Sequence, residues 1–196
     1  MKKIGLTGVI GSGKTTAAKY FNELGVPIFI ADESAKKLMN NDSDLKQKIT
    51  DLLGGSSYKN GVLNKKFISN KIFTNKKLLD SINKIVHPKV QNNFDNWLLN
   101  QNSPYVIYEA ALIFENGSAS FFDKIICIKT PLDLIHKRIS KRVNYSEKIV
   151  NKILSNQISQ EIKCSKSDFC IENISFKILS NEINKIHKKL LQMTSC

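Results

Sequence analysis

Long hydrophobic runs are missing from this chain. No apolar stretch approaches the roughly 20 residues that a helix needs to cross a bilayer, so no membrane association is expected. The opening Met1-Lys2-Lys3 and the apolar residues behind it have the look of a secretion signal. Gly5, Gly8, Gly11 and Gly13 interrupt that stretch and Lys14 closes it, so no apolar h-region remains. Four prolines and nine glycines in 196 residues exclude a collagenous repeat and a Pro/Gly-rich disordered chain. The four cysteines, Cys127, Cys164, Cys170 and Cys196, contain no Cys-x-x-Cys pair, and no histidine stands at ligand spacing from them. Cys127 reads as a buried core residue and the set as reduced, which together with the missing leader predicts a cytoplasmic protein.

Acidic residues are also scarce: 17 against 30 basic ones leaves a formal net charge of +13. Such a field attracts polyanions, whether nucleic acid or small acidic substrates. The basic residues are nearly all lysine, dispersed, and accompanied by an excess of Asn and Ile, as an A/T-rich coding bias produces. Nucleic acid is therefore not the expected partner, whereas an acidic small molecule suits the charge. Arginine is the rarest of the charged residues, at Arg138 and Arg142 only.

What is present suits one full-sized core. A chain of this length buries roughly 70% of its unfolded surface, and no internal repeat or linker divides it. Ile4 to Thr7 reads as a strand, Lys14 to Leu24 as a helix ended by Gly25, and Pro27 to Ile30 as a second strand. This βαβ unit requires parallel strands and a right-handed crossover. From about Asp32 to Ser103 the chain reads as helical, punctuated at Gly54-Gly55 and Asn60-Gly61, with Val90, Phe94, Trp97 and Leu98 on one helix face. Tyr105 to Tyr108 and Lys124 to Ile128 read as buried strands. Thr130-Pro131-x-Asp133 reads as a capped helix start, and Ser146 to Glu161 as one amphipathic helix. Phe169 to Ile171 is a last strand and Ile178 to Leu191 a closing helix. The alternation predicts an α/β fold built on a parallel sheet.

Gly8-Val9-Ile10-Gly11-Ser12-Gly13-Lys14-Thr15 satisfies G-x-x-x-x-G-K-[ST] between a strand and a helix. Its glycines let successive N–H groups curl round a phosphate, and the helix start adds its positive dipole end. Lys14 is placed for the β- and γ-phosphates of ATP, and the Thr15 hydroxyl for Mg²⁺. The nucleotide site is expected to comprise Gly8, Gly11, Ser12, Gly13, Lys14, Thr15 and Thr16. A guanine-reading motif is missing, since Asn75-Lys76-Lys77-Leu78 lacks the acid, and the chain is too short for a motor.

Asp32 follows the second strand and so leaves the same carboxyl edge as the phosphate loop. It is a candidate base for an acceptor hydroxyl; the alternative is an N-cap for a helix beginning at Glu33. Arg138 and Arg142 stand four apart on one helix face, where planar guanidinium forks can bind phosphate oxygens as lysine cannot. A small-molecule kinase, including one for nucleoside monophosphates, and an ATP-dependent nucleic-acid-binding protein both remain open on these residues.

The spaced set as a whole resembles the dephospho-CoA kinase family. It comprises Gly5-Leu6-Thr7-Gly8-x-x-Gly11-Ser12-Gly13-Lys14-Thr15, Ala31-Asp32, Asn83-x-x-x-His87-Pro88, Leu112-Ile113-Phe114-Glu115, Arg138-x-x-x-Arg142, Gln157 and Ser167-Asp168-Phe169-x-Ile171-x-Asn173. The resemblance implies a P-loop nucleoside-triphosphatase fold with a helical substrate-binding insertion over residues 36–103 and a lid over 138–165. It implies transfer of the ATP γ-phosphate to the ribose 3′-hydroxyl of dephospho-CoA, with Mg²⁺. Asp32, Lys14 and Arg138 would then be catalytic, Arg138 and Arg142 would bind the nucleotide, and Thr7, Asp32, His87 and Glu115 would bind the acceptor. The His-Pro pair is alternatively a break between two helices. Where the family has a proline before Leu-Leu-Phe-Glu this chain has Ala111, and Val143 follows the second arginine.

Overall fold

The structure is a computed structural model that describes every residue except Thr74, residues 142–145 and residues 195–196, and omits the side chains of Phe73 and Ile149. In chain order the elements are β1 (Lys2–Thr7), α1 (Lys14–Glu23), β2 (Ile28–Ile30), α2 (Ala31–Asn41), α3 (Ser43–Leu53), β3 (Tyr58–Lys59), β4 (Val62–Leu63), α4 (Lys65–Phe73) and α5 (Lys76–Leu98). The remainder are β5 (Tyr105–Glu109), β6 (Lys124–Lys129), α6 (Leu132–Ile139), α7 (Glu147–Ser155), α8 (Gln160–Ser165), β7 (Phe169–Glu172) and α9 (Phe176–Gln192). The chain divides into a sheet unit, Met1–Ile30 with Asn102–Cys196, and a helical unit, Ala31–Gln101.

The sheet unit holds five strands in the order β2-β5-β1-β6-β7, and every neighbouring pair is parallel. β1 and β2 are thus parallel as the βαβ reading requires, with β5 inserted between them. Parallel strands are covered on both faces, and the central strand shows it, since Ile4 and Leu6 on one face and Thr7 on the other are fully buried. Ala17, Ala18 and Phe21 of α1 join Leu179, Ile183, Ile186 and Leu190 of α9 and the strand residues Ile126, Ile128 and Ile171 in one core. The α9 residues recur at spacings of three and four, one stripe of a helix. Ser175 closes the start of α9 by accepting a hydrogen bond from the Ile178 N–H.

The helical unit buries Leu45, Ile49 and Leu53 of α3, Ile68 of α4, and Ile82, Val86, Val90 and Phe94 of α5. Asp42 caps α3 by accepting from the Leu45 N–H at 2.8 Å, and Asn75 caps α5 in the same way. No helix among the described residues is long and apolar enough to cross a membrane.

The structure corrects several expectations. Residues 58–63 form a small antiparallel hairpin inside the stretch read as helical. Asn60 and Gly61 both have positive φ, 51° and 76°, the backbone of a two-residue turn that Asn-Gly favours. His87-Pro88 does not break two helices apart, because Pro88 lies within the continuous α5. Asp32 does not cap a helix at Glu33; α2 already begins at Ala31 and Asp32 sits in its first turn. The segment 146–161 is two helices rather than one, interrupted after Ser155. Thr130 does not cap α6: Pro131 takes the cap position without a side-chain cap bond, and the Thr130 hydroxyl accepts from Arg138 while its one proton faces the Ser12 and Asn173 carbonyls.

The cysteines require the last correction. Cys164 of α8 and Cys170 of β7 form a disulfide, with Cα atoms 5.3 Å apart. A tight return from helix to strand brings together two residues whose spacing matched no familiar pattern. Cys127 is free and buried, as expected, and burial pushes its thiol up to about 11.

Candidate active site

The phosphate loop runs from the carboxyl end of β1 into α1, at the central strand where the chain changes sides of the sheet. Ligands of open α/β sheets bind at such a point. Two of its glycines are demanded by geometry. Gly8 and Gly13 have φ of 151° and 95°, and a Cβ there would overlap the Ile128 carbonyl oxygen and the Asn173 side-chain amide respectively. Lys14 is only 9% exposed, and its ammonium donates to the Val9 carbonyl at 3.2 Å, curling back over the loop. The Ser12 hydroxyl is buried with no hydrogen-bond partner among the described residues. Thr15 is exposed and Thr16 half-buried on the first turn of α1. A glycine-rich loop entering a helix N-terminus, an orphaned hydroxyl, a lysine and an exposed threonine hydroxyl together fit a magnesium-bound polyphosphate.

The outer side of the loop is braced by residues remote in sequence. Ser12 offers its carbonyl to the Thr130 hydroxyl and the Asn173 side-chain amide, both at 2.8 Å. Gln157 accepts from the Ile10 N–H at 3.0 Å. Gln160 makes two bonds to the Thr130 backbone, each 2.9 Å. Val9 packs with Ile135 and Ile139 of α6 and Val150 of α7, so the loop tip rests on an apolar cluster.

Arg138 lies on α6 beside this brace. Its guanidinium donates to the Asn173 carbonyl at 3.0 Å and to the Thr130 hydroxyl at 3.3 Å. Arg142 lies outside the described residues. Thr7 is fully buried, its hydroxyl donating to the Ala111 carbonyl at 3.3 Å. Glu115 accepts from the Ile158 N–H and from Lys163. In the helical unit, Asp32 is exposed in the first turn of α2 and His87 is exposed on α5.

Glu109 is a candidate that the motif reading missed. It ends β5, stands opposite Leu6 of β1 and Ile30 of β2, and is 5% exposed. A buried acid at the carboxyl edge beside the phosphate loop is well placed to face a bound cation. The signal was available, since a carboxylate closing an otherwise apolar strand needs a reason. Lys163 carried no such signal, being one of 30 basic residues.

The parallel order of the sheet, with a phosphate cradle leaving its central strand, defines a P-loop kinase fold. The match is more particular than the class. Residues 2–177 match the dephospho-CoA kinase family, and the chain belongs to it. A dephospho-CoA kinase of Bacteroides fragilis is 34% identical over 192 residues, covering 97% of this chain and 93% of the relative. The solved dephospho-CoA kinase from Campylobacter jejuni superposes with a TM-score of 0.61 at 26% identity, covering 96% of this chain and 97% of the other. The crystal structure of TT1252 from Thermus thermophilus shares the fold with a TM-score of 0.85 at 23% identity, covering 98% and 97%.

Proposed function

We propose that this protein transfers the γ-phosphate of ATP to the ribose 3′-hydroxyl of dephospho-CoA, giving CoA and ADP, the last step of coenzyme A biosynthesis. The observation that carries the reading is the family match over residues 2–177, which includes the whole phosphate loop. The reading places the enzyme in the cytoplasm.

In this reading the N–H groups of the loop and the start of α1 hold the polyphosphate, and Lys14 neutralises its β- and γ-oxygens. Thr15 and Glu109 would hold Mg²⁺, which when bound spreads the charge that develops on the transferring group. Asp32 takes the proton of the 3′-hydroxyl or holds that hydroxyl in line. Arg138 and Arg142, at the start of a lid over 138–165, neutralise developing negative charge and keep water out. The helical insertion, residues 36–103, binds the acceptor, with His87 as a contact. Thr7 and Glu115 serve the acceptor side through the loop that follows β5. Little covalent assistance is needed, because alignment and charge neutralisation carry most of phosphoryl transfer.

A coupled ADP-release assay over a panel of acceptors tests this directly. Dephospho-CoA should give ADP and a product heavier by one phosphoryl group, while nucleoside monophosphates give background. Turnover with a monophosphate and none with dephospho-CoA would reject the assignment.

A further inference from the structure

The sheet unit contains one fully buried ammonium that the mechanism above does not use. Lys163 is 0% exposed. Its Nζ donates to the Ala111 carbonyl at 2.7 Å and meets both oxygens of Glu115, at 2.7 and 2.9 Å. The charge is thus held between one carbonyl and one carboxylate. Taking a lysine charge out of water is costly, and a well-packed apolar pair often holds a structure as well or better. What an ion pair adds is direction. Here the direction falls on the loop after β5: Ala111 also accepts from the Thr7 hydroxyl at the end of β1, and Glu115 also accepts from the Ile158 N–H between α7 and α8 at 2.9 Å.

We infer that Lys163 is a positioning residue that sets the loop after β5, through Ala111 and Glu115, against the strand end that launches the phosphate loop. The nucleotide cradle has its own anchors, in Gln157 on Ile10 and in Thr130 and Asn173 on Ser12. In the loop after β5, Lys163 is the one side chain among the described residues that ties Ala111 to Glu115, alongside the Thr7 and Ile158 bonds to each. Loosening the clamp should therefore disturb the acceptor side and spare the ATP side. This rests on the dephospho-CoA kinase reading for the identity of the acceptor.

The experiment compares wild type with Lys163→Met, Glu115→Gln and the double variant. Lys163→Met should raise the KM for dephospho-CoA about tenfold and leave the KM for ATP within about twofold, the signature of lost acceptor binding. It should also lower Tm, because the Glu115 carboxylate, 14% exposed, is left beside an apolar chain without its cation. The double variant removes that unpaired charge, so it should recover Tm and keep the raised acceptor KM, with a loss no larger than that of either single change. Should Lys163→Met fail to fold, the double variant set against Glu115→Gln alone decides, by amide exchange over residues 110–118. Wild-type KM values for both substrates in the double variant, or equal rises in both, would overturn the inference. If the wild type fails to phosphorylate dephospho-CoA, the functional reading falls first, and amide exchange over residues 110–118 judges the clamp. That exchange should quicken in the double variant, and unchanged protection there overturns the clamp as well.

Discussion

The two units of the molecule spend their polar side chains differently. In the sheet unit the decisive ones are buried and reach partners far away in sequence: Asn173 on Ser12, Thr130 on Ser12, Lys163 on Ala111 and Glu115. In the helical unit the ion pairs are exposed or half-exposed, whether local, as with Lys48 and Asp44 four residues apart, or distant in sequence, as with Lys89 against Asp42 and Asp44 at 3.0 Å. A low-dielectric interior makes a satisfied network strong and a broken one expensive, whereas water levels the worth of surface pairs. Precise placement of reacting groups needs the first kind of environment. A helical frame can be built with the second.

The sharpest way to break this contrast is at the phosphate loop. Lys14→Ala should lower kcat by at least about a hundredfold, because a positive charge at the transferring group cannot be replaced by water. Steady-state turnover with saturating ATP checks it, and near-normal turnover would remove the loop from the mechanism. Asp32→Asn probes the one catalytic candidate on the helical unit. Its exposure and its place inside the first turn of α2, rather than at the cap, leave it little structural work. A fall in kcat of about a hundredfold with unchanged Tm is expected if it serves as base. Retained turnover would leave the base elsewhere.

A smaller effect separates the units on stability alone. Asn173→Ala strips buried donors and acceptors from Ser12 and Arg138, and should cost about 1–3 kcal/mol by denaturant unfolding. Lys89→Ala, in the helical unit, should hardly move the midpoint. Equal effects would erase the distinction.

The smallest expected effect is a pH dependence. Asp168 is partly buried, which by itself disfavours its charge, but hydrogen bonds from Lys124 at 2.6 Å and from the Ile125 N–H outweigh that and hold its carboxyl below the usual range. A depressed folded pKa means the stabilisation is present above the unfolded value, about 3.9, and is lost as pH falls through the folded one. Asp168→Asn should therefore be less stable than wild type at neutral pH, with the gap closing in acid. A gap that persists unchanged at pH 2 would show the charge to be irrelevant.

Much of this was legible in one dimension. The glycine spacing, Lys14 and Thr15 identify a phosphate cradle because backbone dihedrals and helix starts are local properties. The strands and most helix limits follow from apolar runs and caps for the same reason. The hairpin at 58–63 also had its local mark, Asn60-Gly61, which was read as punctuation rather than as a turn. Thr130 misled because a threonine before a proline is a good cap locally, while the Ser12 and Asn173 carbonyls that claim its hydroxyl are 118 and 43 residues away.

By itself, then, the sequence determined the periodicities, the loop that binds phosphate and the family pattern, all properties of neighbours along the chain. The burial of Lys163, the choice of Glu115 as its partner, the pairing of Cys164 with Cys170 and the brace behind Ser12 were decided only when the parallel sheet brought distant segments to one edge. Whether a lysine is a solvated charge or a clamp depends on which acceptors surround it, and those belong to other parts of the fold.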